Sequence, residues 1–235
     1  MALVASVFAG ASRSFVRVLA GQAANAWVLD QRLTTPGAAA ATDEIAIAPY
    51  LHVHGRNAFD SGDAAVIASW TQTQLFANLA TAQTTEVDAW TSDHVALATT
   101  WGKTLVAYEA GQHLAGDTGN TTLTALFTGA NRAAAMGTAY RTYLDRWRTA
   151  TNGALLMHFT DVGPYTQYGS WGALEYPEQA TSPKYAALAD YAGGTTTTTT
   201  SSTTSSSTTT TTVPPPPTAL RFTAVNPTQI GRAHV

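Results

Sequence analysis

Glu109 closes the run Thr104-Leu-Val-Ala-Tyr-Glu109, an apolar stretch of strand length that ends in a carboxylate. Parallel barrels keep their chemistry at the carboxyl ends of their strands, so this position nominates Glu109 as a catalytic acid or nucleophile. Two further groups stand at strand exits: Tyr50, directly after Pro49, and Trp171, inside Gly169-Ser-Trp-Gly172. A tyrosine there can donate to a carboxylate and hold its charge state, although aromatic packing is an equally good use of the residue. His52-Val-His54 sets two imidazoles two residues apart, as an extended loop does for a shared ion, but no third ligand follows at a recognisable spacing. No metal and no cofactor is therefore expected. His94 falls on an apolar stripe and reads as structural.

The elements that must hold these groups repeat one unit. Four apolar runs of strand length, 15–20, 44–50, 104–109 and 154–159, each have a polar or aromatic exit. Between them, Val87, Trp90, His94, Leu97 and Trp101 recur at intervals of three and four, as do Met136, Tyr140, Tyr143, Leu144 and Trp147. Pro183 behind Ser182 predicts a capped helix start, and Gly193-Gly194 stops the helix that carries Tyr185 and Leu188. Near-continuously apolar strands alternating with helices imply a parallel sheet covered by helices. A doubly wound sheet shares that alternation, but no strand is followed by a Gly-rich phosphate loop, and functional groups at several strand ends suit a barrel. Four units make the C-terminal half of a (β/α)8 TIM barrel, an α/β fold.

Composition bounds the partners. With 11% charged residues and a formal net charge of -3, the chain has no basic excess for nucleic acid, and a neutral polar substrate fits better. The Thr/Ser tract and four prolines of 194–217 cannot build a core and read as a disordered linker. Such linkers join modules of exported enzymes, so a secreted, extracellular protein is expected, with no membrane partner. Met1–Ala11 resembles the core of a signal peptide but lacks a Lys or Arg before its apolar run, and reads as an internal start. The expected organisation is a partial barrel over 1–193, the linker over 194–217, and the beginning of a second module over 218–229. Residues 230–235 resemble a translated sequencing adapter, which sets His234 aside.

Val16-Arg-Val-Leu-Ala-Gly-Gln22, Ala46-Ile-Ala-Pro-Tyr50, Tyr108-Glu-Ala-Gly-Gln-His-Leu114, Met157-His-Phe159 and Gly169-Ser-Trp-Gly-Ala-Leu-Glu-Tyr176 together resemble the C-terminal half of clan A-type retaining glycoside hydrolases. They are more similar still to bacterial exported proteins labelled cellulose-binding. The resemblance implies a polysaccharide or oligosaccharide substrate, Glu109 as nucleophile at the seventh strand, Tyr50 after the sixth, and Trp171 stacking on a sugar ring near the eighth. It also implies a general acid/base after the fourth strand, in sequence preceding residue 1. His113 and His158 are candidates for binding sugar hydroxyls, against structural roles in a loop and in a barrel interior. Glu175 and Glu178 are the alternatives to Glu109, which would then be a rim carboxylate paired to an arginine. The rival function is a non-catalytic carbohydrate-binding barrel. Of the remaining tryptophans, Trp27, Trp70, Trp90, Trp101 and Trp147, most read as core.

Overall fold

A computed structural model describes residues 6–10, 12 and 14–193. The linker, the expected second module and the adapter-like tail lie outside the described residues. The described chain is mixed α/β, with three parallel strands, β1 (Val18–Ala20), β2 (Glu44–Ile47) and β3 (Thr104–Ala107), in the sheet order β1-β2-β3. The expected fourth run forms no extended strand of its own. It joins β3 at the bridge Ala107↔Leu156, where Ala107 N donates to Leu155 O at 2.9 Å and Met157 N to Ala107 O at 3.1 Å. Spatial order thus follows chain order across all four segments. Among the described residues the sheet does not close on itself.

Seven α-helices lie wholly among the described residues: α1 (Ala26–Thr34), α2 (Ser61–Ala68), α3 (Gln72–Ala82), α4 (Asp88–Trp101), α5 (Thr121–Arg132), α6 (Ala134–Thr151) and α7 (Pro183–Ala192). Their starts are written in the sequence. Asp60 accepts from Gly62 N and Asp63 N, Thr71 and Gln74 form a reciprocal capping box, Asn120 accepts from Leu123 N, and Ser182 accepts from Tyr185 N. Between α3 and α4 the chain does something periodicity does not announce: Gln83–Val87 winds as one π turn. It joins the two helices without a break.

Successive residues Ile45 to Ile47 and Leu105 to Ala107 are all buried, so both faces of β2 and β3 are covered at their centres. Ile45, Ile47, Leu105 and Ala107 pack with Leu29 and Leu33 of α1, Ala98 of α4, and Tyr143, Leu144 and Trp147 of α6. The register puts Val18, Ala46 and Val106 on the opposite face, and the bridge at Leu156 puts Leu155 and Met157 there too. Ala46 and Val106 are buried at the centre of that face, whereas Leu155 and Met157 at its margin are 59% and 54% exposed. A second core lies beyond the strand ends, where Leu51, Val53 and Leu114 of the exit loops pack with Leu75, Leu79, Leu123, Phe127 and Met136. Trp147 is buried as expected, but Trp27 is 64% exposed at the start of α1, where its helix turns it away from the sheet.

Candidate active site

The site forms because β2 and β3 part company and then pair again. After Ile47 and Ala107 the two chains diverge, and they rejoin at the parallel bridge Leu51↔Gln112, with Leu51 N donating to Gly111 O at 2.9 Å and His113 N to Leu51 O at 2.7 Å. Leu51 and Leu114 are buried in the helical core and anchor both exits. Between the two pairing points stand Tyr50 and Glu109. The Tyr50 hydroxyl donates to Glu109 Oε2 at 3.0 Å. Burial, and then the Glu109 carboxylate, push the Tyr50 phenol far above its ordinary range, so it remains a donor at any physiological pH. Among the described residues Glu109 forms no ion pair; the carboxylate paired to an arginine is Glu175, which accepts from Arg132 Nε at 2.9 Å and Nη2 at 2.5 Å. Glu178 is exposed.

Gly111 lets the floor approach the loop. Its φ is +138°, and a Cβ there would sit 3.1 Å from the Tyr140 hydroxyl and 3.2 Å from His158 Nε2. Tyr140 accepts from Gln112 N at 3.1 Å, so its single proton points to His158 Nε2, also at 3.1 Å. That arrangement makes Nε2 an acceptor and assigns the imidazole proton to Nδ1. Burial, helped by nearby Lys184, pushes His158 down to about 4 and keeps it neutral. His158 thus braces the floor beneath the Glu109 loop.

Trp171 is brought to the same mouth by side chains from two elements. The carbonyl of Ser170, the preceding residue, accepts from Gln112 Nε2 at 2.8 Å and from Lys184 Nζ at 2.5 Å. Gln112 and Lys184 are both buried, and the first follows Glu109 by only three residues, so the indole loop is tied directly to the loop of the candidate nucleophile. The indole N–H donates to Tyr168 O at 3.0 Å, and the ring folds over Gly169, where a Cβ would lie 2.4 Å from Nε1 and φ is +118°.

The rings form a continuous arc. Phe159 and Trp171 have centroids 6.2 Å apart, Trp171 and His113 5.2 Å, and His113 and Phe59 6.1 Å. Tyr50 meets His113 and Trp171 edge-on at 5.9 and 6.0 Å. Burial lowers His113 below the ordinary histidine range, so it stands in the arc as a neutral imidazole. Such a strip of aromatic faces beside one hydrogen-bonded carboxylate suits a ligand with apolar C–H faces and hydroxyl edges.

Of the expected site residues, Tyr50, Glu109, His113 and Trp171 meet at one mouth, and His158 lies below it. His94 is buried on α4, as its stripe implied. His52 and His54 share one carboxylate: Glu86 Oε1 lies 3.0 Å from His54 Nδ1, and Oε2 lies 2.9 Å from His52 Nε2 at an angle too poor for a hydrogen bond. Among the described residues no group of three His, Cys, Asp or Glu is arranged for a metal. Phe59, Phe159, Gln112 and Lys184 escape sequence reasoning. A lysine in the first turn after a proline looks like a solvated residue, and only the fold buries it. Two cavities, of about 530 and about 330 Å³, lie among α3, α4 and α6 away from Glu109, while one of about 310 Å³ includes Tyr50 and His113 in its lining. Among the described residues no helix is long and apolar enough to cross a membrane. No family model, curated protein or solved structure matches the chain.

Proposed function

We propose that this chain carries the C-terminal half of a (β/α)8 barrel from an exported, retaining β-glycoside hydrolase that acts on polysaccharide, with Glu109 as the nucleophile. The observation that carries the proposal is the Tyr50 to Glu109 hydrogen bond of 3.0 Å at the exits of adjacent parallel strands. In the proposed reaction Glu109 attacks the anomeric carbon and the leaving oxygen takes a proton from a second carboxylic acid, giving a covalent glycosyl-enzyme. That second group then activates water to release the sugar and free Glu109. The Tyr50 hydroxyl holds the attacking oxygens in place, and the arc of Trp171 and His113 orients the ring.

The second carboxyl group has to stand about 5–5.5 Å from Glu109. Glu175 is engaged by Arg132, and in the proposal the acid/base comes from the other half of the barrel. Strands in chain order, and the apolar side chains of Leu155 and Met157 exposed at the margin of the second sheet face, support a missing half that would cover them. The 235-residue chain alone is then inactive. The same lack of an evident acid/base favours a second reading, a carbohydrate-binding barrel without catalysis.

Glu109→Gln in the full-length gene product separates the two. The amide keeps shape and hydrogen bonding but cannot form the glycosyl-enzyme, so kcat should fall by several orders of magnitude with sugar binding largely kept. An unchanged kcat refutes the nucleophile assignment. No turnover by the unmodified full-length protein supports the binding barrel.

A further inference from the structure

The cavity of about 310 Å³ starts at Tyr50 and His113 and continues away from Glu109 to Phe59, Arg56 and the paired rings of His52 and Trp90. Its far wall is built rigidly. His52 stacks on Trp90 with centroids 5.1 Å apart and planes within 7°, and its Nδ1 lies 3.1 Å from Val53 O. Glu86, carried by the π turn Gln83–Val87, reaches both imidazoles of the His52 loop. Asn78 of α3 grips the backbone of His54 from both sides, accepting from its N–H at 2.9 Å and donating to its carbonyl at 3.1 Å. The wall therefore exists before any ligand arrives.

Phe59 lines the same cleft and is 59% exposed, although its ring ends the aromatic arc beside His113. Arg56, the charged side chain in the lining, is already matched by Asp63 at 2.7 Å. An anionic ligand would meet no free countercharge there. The volume is near the lower end of ligand pockets, about 300 Å³, which suits one ring rather than a chain.

We infer that this cleft is a second carbohydrate subsite, contiguous with the Glu109 site, which takes the next ring of a neutral oligosaccharide between Phe59 and the His52 and Trp90 wall. The inference rests on the glycoside reading of Glu109. It makes the preferred ligand an oligosaccharide that crosses Tyr50 and His113 from one subsite to the other.

The test titrates the 235-residue chain with glucose and with cello-oligosaccharides of two to six rings, followed by indole fluorescence, for the unmodified chain, Phe59→Ala and Phe59→Trp. The unmodified chain should bind the two-ring and longer sugars more tightly than glucose. Phe59→Ala should weaken the two-ring and longer sugars by roughly three- to tenfold, the worth of one aromatic face, and leave glucose unchanged. Phe59→Trp should keep or sharpen the length dependence. Because Phe59 is exposed, thermal midpoints should agree among the three proteins. Equal affinities of Phe59→Ala and the unmodified chain at every length overturn the subsite, and so does an equal loss at every length, which would merge Phe59 into the Glu109 site. Absence of binding by every member overturns it as well. Turnover by the full-length protein and its Glu109→Gln variant judges the nucleophile separately, so a failed subsite leaves that assignment standing.

Discussion

Replacing Lys184 by methionine should make the protein more stable at neutral and acidic pH and less stable in alkali. Lys184 is fully buried; its Nζ lies 2.5 Å from Ser170 O and 4.5 Å from the centre of the Tyr165 ring. Burial pushes its amine down to about 7, with Glu175 acting in the other direction. An unfolded lysine titrates near 10.4. Between those two values the unfolded chain binds a proton that the folded chain refuses, so the Lys184 contribution to stability falls as pH drops through this window and levels off below about 7. The full gap corresponds to a pH-dependent change on the order of 3–5 kcal/mol.

Methionine keeps most of the side-chain volume and removes the titration. It also leaves Ser170 O with Gln112 as its remaining side-chain donor, a loss of about 0.5–1.5 kcal/mol for one hydrogen bond. Urea unfolding of the unmodified chain and Lys184→Met at pH 6, 7, 8, 9.5 and 11 should therefore give stability curves that cross. The variant should be the more stable by a few kcal/mol at pH 6, about equal to the unmodified chain near pH 9.5, where the unfolded amine is still mostly protonated, and the less stable by about 1 kcal/mol at pH 11. Comparing the two chains at each pH cancels the titrations of groups that do not feel Lys184. Parallel curves, or a variant weaker at every pH, would refute a buried amine held near neutrality.

Gly111→Ala should destabilise by about 1–3 kcal/mol, because it forces a Cβ onto a backbone with φ of +138° and 3.1 Å from the Tyr140 hydroxyl. Thermal unfolding checks it, and an unchanged midpoint would show that the floor beneath Glu109 is pliable. The sheet face that carries Val18, Leu155 and Met157 should make the isolated 235-residue chain self-associate and bind an apolar dye. The triple variant Val18→Thr, Leu155→Thr, Met157→Gln should reduce both effects in sedimentation and fluorescence, and a strictly monomeric, dye-silent unmodified chain would contradict the open-face argument.

Residues whose role is set by local pattern were legible. Ser182 and Pro183 start α7 where the cap and fixed φ require, and the stripe from Met136 to Trp147 lies inside α6 with all five members buried. The Tyr50 and Glu109 pair was legible for the same reason, since each closes an apolar run of strand length. The fourth run kept its place in the sheet but not its extent, being reduced to a bridge at Leu156. It is the outermost segment of the described sheet, without a further strand beside it to extend its ladder.

What the sequence hid depends on contacts between segments far apart in the chain. Trp90 fits its helical stripe perfectly well and so looks like core, yet it is half-buried and presents its face to His52. Periodicity counts residues at 3.6 per turn and cannot register one turn wound wider, although that turn is what brings Glu86 to the His52 loop. Lys184 shows the same limit from the side of electrostatics. A first-turn lysine has no local reason to be buried, and the reason is the Ser170 carbonyl fourteen residues earlier, immediately before Trp171. The two misplaced residues differ in role: Trp90 lines the cleft itself, while Lys184 holds the Trp171 loop from behind. Tyr50 and Glu109 are thus announced by strand ends, while Trp90 and Lys184 come from helices and take their places only once the helices are packed.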